Sequence, residues 1–380
     1  MRVSRPLLIG CSAIMVALLM TGCDRSANEG AQTSAPAPAG ARDFMVVANR
    51  PNQLHLIDLA ARNIVRSCDL PGQFGPGTVQ MGPENRVAYV LSNRFENVYG
   101  VDMDTCDITF SAKQSYGNIR IKTIGAFAVS RDGDEVWIHQ NPAQLNRDHY
   151  VAMDAQIAVY RTADGLNAKP VRTFESPRQI TLMTAGPGQT AYLAGRDIYE
   201  MNTDTGDYSI KFASQSDTNP LYSQRDSLSV WPIGLQSGEM IRMYSAARFE
   251  DERQNMDTAE FVWGFERVDL NTGEAEMRDF GPLEVMLFSG MTRPGKRNEF
   301  YAALTQLKRY DVDAQTELAS VDLDHSYYCV NFSTDGNEVY LGGTFNEIAI
   351  FDADTLTFKD KIVLPGGDQS LNTTQVFARL

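Results

Sequence analysis

Only four histidines occur in the 380 residues, His55, His139, His149 and His325, and no two stand at a spacing that would place both rings on one metal ion. There is no Gly-x-Ser-x-Gly, no phosphate-cradling P-loop, no His-Glu-x-x-His and no dinucleotide fingerprint after a strand. Acidic turns such as Asp204-Thr205-Gly206 offer oxygen ligands to calcium. None continues as Asp-x-Asp-x-Asp-Gly with a downstream glutamate, so they read as turn residues first. A metal-dependent hydrolase would have to gather Asn331, Glu284 and Asp226 from distant segments, and no spacing compels it. No Cys-x-x-Cys-His occurs, which removes the usual attachment of a c-type haem. From the residues alone, no catalytic group and no metal site on this chain is expected.

The elements that would position such residues are easier to read. An apolar couplet running into a polar turn recurs seven times, at Leu56-Ile57-Asp58, Gly100-Val101-Asp102, Val159-Tyr160-Arg161, Glu200-Met201-Asn202, Val268-Asp269-Leu270, Tyr310-Asp311-Val312 and Ile350-Phe351-Asp352. Repeats of roughly 40–50 residues built of short strands point to the blades of a β-propeller. Seven repeats predict an all-β, seven-bladed propeller over residues 43–380. Trp137 and Trp263 read as blade core.

Tight turns such as Ser130-Arg131-Asp132-Gly133 and Ser333-Thr334-Asp335-Gly336 precede aromatic strands and mark the hairpin between the two inner strands of a blade. Phe44 to Ala48 resembles a second strand with no first strand before it. Thr374 to Ala378 resembles a first strand with no blade after it. Paired, the two complete one blade and close the ring, covering edges that would otherwise be exposed.

The repeats are 41–44 residues apart except for gaps of 59 and 67. The extra residues fall at 140–155 and 246–260, between the second and third strands of blades 3 and 5. Loops there leave the disc on the same face as the connections into each innermost strand, including Pro177-Arg178-Gln179 and His325-Ser326-Tyr327. Loops on a rigid scaffold commonly carry binding function, so this face is the expected functional one.

Residues 1–22 read as a signal peptide, with Arg2 and Arg5 ahead of an apolar run from Leu7 to Leu19 that is too short to span a bilayer. Met20-Thr21-Gly22-Cys23 resembles the lipobox of bacterial lipoproteins. Lipidation of Cys23 is the expectation, with plain signal cleavage as the alternative, and either implies export to the periplasm. Residues 23–42, rich in Ala, Ser, Pro and Gly, read as a flexible tether reaching on the order of 25 Å. Loss of the signal leaves 32 basic against 48 acidic side chains, a balance that disfavours nucleic acid as a partner. Cys68 and Cys106 lie near the outer strands of adjacent blades. In an oxidising compartment they could pair, the alternative being two separately buried thiols. Cys329, in an apolar strand, reads as a small core side chain.

The segment His325-Ser326-Tyr327-Tyr328-Cys329-Val330-Asn331-Phe332-Ser333-Thr334-Asp335-Gly336, followed by Val339-Tyr340-Leu341-Gly342-Gly343, resembles the beta subunit of bacterial quinohaemoprotein amine dehydrogenase. Pro177-Arg178-Gln179-Ile180-Thr181, Ser229-Val230-Trp231 and Phe351-Asp352-Ala353-Asp354-Thr355-Leu356 extend the resemblance in order over about residues 43–380. It implies a periplasmic complex of three different chains. An alpha subunit carries two c-type haems, and a small gamma subunit carries a cysteine tryptophylquinone. The complex oxidises primary amines to aldehydes and ammonia, electrons passing from quinone to haem. The beta propeller, without a prosthetic group, would dock the gamma subunit and wall the substrate cavity. Arg178, Trp231, His325, Tyr327, His149 and Tyr150 are the residues expected to face the cavity or the partner, with Tyr327 turned to the channel and Tyr328 packed inward by strand alternation. A stand-alone exported propeller, hydrolase or interaction scaffold, is the alternative.

Overall fold

The computed structural model describes residues 40–380 except Phe74, Pro76, residues 229–234 and Leu371. Among the described residues the strands form seven antiparallel sheets that follow one another along the chain, as a seven-bladed propeller requires. Each repeated couplet ends the third strand of its blade, at Asp58, Asp102, Arg161, Asn202, Asp269, Asp311 and Asp352. The reason is local. The side-chain oxygen of Asp102, Asn202, Asp269, Asp311 or Asp352 accepts the backbone N–H two residues on, closing the turn into the outer strand.

The ring closes as the termini suggested. Thr374–Arg379 is the innermost strand of the first blade, followed outward by Arg42–Asn49, Gln53–Asp58 and Asn63–Asp69. Phe44 pairs with Phe377 and Val47 with Thr374. This blade is tied to both neighbours. Asp43 accepts from the Thr334 N–H of blade 7 at 2.7 Å, and Arg379 pairs with Asp104 of blade 2 at 2.5 Å. Cys68 and Cys106 are joined in a disulfide that also staples blade 1 to blade 2.

The core lies between the blades. Trp137 is fully buried among Phe127, Ile138, Tyr160 and the apolar faces of blades 2 and 4. Trp263 stacks on Phe280 at 4.5 Å and meets Tyr310 of blade 6 at 5.2 Å. Each such side chain withdraws enough apolar surface to contribute on the order of 2–3 kcal/mol. Cys329 is buried and its thiol pushed up to about 12 by that burial, so it is inert packing.

Around the central channel, polar side chains of the innermost strands bind the next blade's backbone. Gln375 accepts from Met81 N at 2.8 Å, Gln80 from Val129 N at 3.1 Å, and Thr373 from Val79 N at 2.7 Å. Asn331 donates to Thr374 Oγ1 at 2.6 Å. Blade 5 departs from the regular pattern. Its innermost strand is only Asp226–Ser227, and a 3-10 turn, Leu235–Ser237, precedes its second strand. From that turn Gln236 accepts from Phe332 N of blade 7 at 3.0 Å, and Ser237 donates to Thr292 O of blade 6. The turn therefore reaches two other blades.

Candidate functional site

Both insertions lie between second and third strands, and the one in blade 3 builds its own sheet. The second strand, Glu135–Leu145, runs past its blade, pairs with Tyr150–Ala152 beyond the hairpin and with Ile119–Lys122 on the other side. In blade 5 the extension lengthens the hairpin of Glu239–Arg248 and Glu260–Asp269. At the foot of the blade 3 extension, buried His139 donates from Nε2 to Pro177 O at 3.0 Å, while Asn141 approaches Nδ1 at 3.4 Å. Burial lowers this ring to about 4, so it is neutral and structural.

The insertion face carries several exposed large apolar side chains. Tyr150 is 77% exposed and Tyr116 66%, with Val151, Met153 and Ile124 nearby in the same insertion or its flanking connection. Phe261 and Met256 belong to the blade 5 extension, and Phe345 to the blade 7 loop on this face.

The sequence-nominated residues fall into two groups with no contact between them among the described residues. Arg178 donates to Met153 O at 2.7 Å and approaches Asp154 at 3.3 Å, so it braces the root of the blade 3 insertion. His149 and Tyr150 sit at its exposed tip, where His149 Nδ1 faces Asp148 at 2.8 Å. The second group is His325 with Tyr327 at blade 7. Trp231 lies outside the described residues, as do the signal segment and Cys23.

Tyr327 is not turned to the channel as expected. Tyr327 is wholly buried and Tyr328 only partly so. Strand alternation does not apply at these positions, because the innermost strand of blade 7 begins at Cys329 and residues 323–328 are connection. Tyr327 packs with Leu307, Val330 and Phe332 between blades 6 and 7, and burial raises its hydroxyl far above the ordinary range.

Around it the fold assembles a cluster that spacing did not reveal. His325 Nε2 is 2.8 Å from Glu347 Oε1, and the Tyr327 hydroxyl lies 3.1 Å from the same oxygen and 3.2 Å from Asp324 Oδ1. Lys361 Nζ bridges Glu347 at 2.6 Å and Asp324 at 2.9 Å. Burial alone would raise the Glu347 carboxyl, but the donors His325, Lys361 and Tyr327 hold it below its usual value. Glu347 opens the third strand and Lys361 sits in the outer one, on diagonal register positions. That register is the signal by which a sequence reading could have joined them.

The opposite face differs. A cavity of about 510 Å³ opens there, lined by Gln80, Asn85, Ser130, Arg131, Thr184, Asn271 and Gln375 among others. Much of this lining is already engaged: Gln80 and Gln375 hold neighbouring backbone, and Arg131 bridges to Asn271 at 3.1 Å. The three residues considered for a hydrolytic metal do not converge. Asn331 is consumed by Thr374, whereas Asp226 and Glu284 are exposed.

No protein-family model matches the chain, and no curated protein does. Similarity to solved structures is extensive but remote. Apo AztD from Citrobacter koseri superposes with a TM-score of 0.52 at 12% identity, over 89% of this chain and 98% of that one. A functionally unknown protein from Desulfotomaculum acetoxidans gives 0.54 at 7% identity, over 88% and 98%. The dihydro-heme d1 dehydrogenase NirN, in complex with DHE, gives 0.50 at 13% identity, over 88% of this chain and 75% of that one. At such identities the likeness is one of fold, and it agrees with the blade count: the chain is a seven-bladed β-propeller.

Proposed function

We propose that this chain is the propeller subunit of an exported quinohaemoprotein amine dehydrogenase complex, serving as a docking platform rather than as the seat of the chemistry. The observation that carries the reading is the insertion face, where Tyr150, Val151 and Phe261 stand exposed on paired strands and Tyr116, Met153 and Phe345 on the loops beside them. Exposed apolar groups gathered on one face mark a protein interaction surface. The His325-Ser326-Tyr327-Tyr328 resemblance adds which complex, and its segment belongs to the same face.

In that complex the quinone and haem of the partner subunits supply the redox chemistry that takes a primary amine to aldehyde and ammonia. This chain's residues would do three things. The blade 3 extension, braced by Arg178, would seat the small subunit. The aromatic edges of Phe345 and Tyr150 would exclude water from the cavity and suit an apolar amine side chain. The ring of backbone-binding amides would keep the platform rigid.

The deciding experiment is gentle purification from the native host. A haem-staining chain and a small quinone-staining chain should accompany the propeller, and amine-dependent dye reduction should follow the complex. Recovery of the propeller alone under these conditions overturns the reading.

A further inference from the structure

We propose that Asp324, His325 and Glu347 form a binding site for one divalent transition-metal ion of the Zn²⁺ class, and that Lys361 occupies the charge position of that ion in the metal-free protein. The proposal stands apart from the amine dehydrogenase reading and concerns this chain alone.

Three features carry it. The ligand atoms of the three side chains lie within 4.8 Å of one another, close enough to converge on one ion after small side-chain rotations. An imidazole nitrogen with two carboxylate oxygens is a donor set suited to zinc, and it leaves a fourth position open.

The second feature is how His325 is held. Its ring stacks on Tyr327 at 4.1 Å and meets the edge of Phe345 at 4.5 Å. Nδ1 lies 2.9 Å from the Ser326 carbonyl oxygen, which can only accept. The hydrogen is thereby fixed on Nδ1, and Nε2 is aimed at Glu347. Metal-binding histidines are commonly fixed in this way by a carbonyl on the far nitrogen. Nε2 and the Glu347 carboxylate oxygen, 2.8 Å apart, thus face each other as two groups that a shared cation can join, a proton as readily as a metal ion. His55 and His139 show the ordinary alternative. His55 meets a hydroxyl, Ser67, and the Asn49 amide oxygen, and His139 meets one carbonyl and one amide N–H, so a neutral ring satisfies each.

Third, the carboxylates are already oriented. The Tyr327 hydroxyl reaches both of them, and the Lys361 ammonium bridges both. Two carboxylates held together beside a histidine are thus neutralised by a flexible lysine, whose outer-strand position lets it swing away when an ion takes its place.

The test is titration of the purified, chelator-treated protein with zinc chloride against a chromophoric competitor. One Zn²⁺ per chain is expected. His325→Ala and Glu347→Gln should each weaken binding by at least about tenfold, the loss typical of disturbing a metal's immediate surroundings. Lys361→Met, which keeps all three ligands, should tighten it. Thermal unfolding without metal identifies any variant that fails to fold, and zinc should raise the midpoint of wild type and Lys361→Met but not of His325→Ala. No uptake by the wild type at micromolar free zinc overturns the site. Binding unchanged by His325→Ala and Glu347→Gln overturns it equally. Binding weakened by Lys361→Met overturns the role given to the lysine.

Discussion

The two faces of the disc use polar and apolar side chains in opposite ways. On the cavity side, glutamines, asparagines and threonines crowd the channel, yet Gln80 and Gln375 spend their hydrogen bonds on the next blade's backbone. On the insertion side, large apolar side chains stand exposed at Tyr116 and Tyr150. Polar groups around a channel are therefore weak evidence of a ligand here, because their partners are internal. Exposed apolar groups gathered on the insertion face are the better pointer to function.

This contrast makes graded predictions. Deleting residues 372–380 removes the innermost strand of blade 1, two members of the backbone-binding ring and the side-chain partner of Asn331 together. Loss of cooperative unfolding and of near-ultraviolet circular dichroism is expected; a truncated chain with native spectra would show that the ring is not what holds the disc closed.

Acid should act next most strongly. Burial lowers His55 and His139 to about 4 from an unperturbed value near 6.5. Their neutral rings contribute stability that is complete above about pH 6.5 and lost progressively as pH falls toward 4, roughly 3 kcal/mol for each ring. Denaturant midpoints at pH 7 and 4.5 should differ accordingly. His139→Gln should lessen the difference, and an unchanged pH dependence would count against a buried neutral ring under the insertion.

Gln80→Leu takes the acceptor from the buried Val129 N–H and should cost about 1–3 kcal/mol by equilibrium denaturation. A neutral result would make the channel amides free for a ligand after all. Smallest in stability is Tyr150→Asp, expected within about 0.5 kcal/mol of wild type because the ring is exposed. It should nevertheless reduce partner recovery from the native host. Full recovery would move the docking surface elsewhere on the face.

The blades were legible because a turn imposes a residue type: an Asp or Asn accepts the N–H groups that follow, so the end of the third strand repeats in every blade but the third, which ends at Arg161. Ring closure was legible because an unpaired half-blade at each end has one remedy. The insertions were placed correctly, but their internal strands were not visible, since the partner Ile119–Lys122 comes from before the blade. The Tyr327 orientation failed because alternation was carried into a connection. The cluster at Glu347 was hidden for a related reason. Its members lie on three segments, and only the register of blade 7 and the path of the incoming connection bring them together.

Strand Thr374–Arg379 is made only after the strand it must close upon, Arg42–Asn49, and after the other six blades. Until it emerges, six blades can be complete while the first still lacks its inner edge, and contacts between residues 42–47 and 374–379 must wait until the other six blades have been made. A premature stop anywhere upstream thus yields an open arc with unsatisfied strand edges rather than a smaller working disc. Such arcs are ready substrates for proteases, so synthesis through the closing strand is checked by the geometry itself.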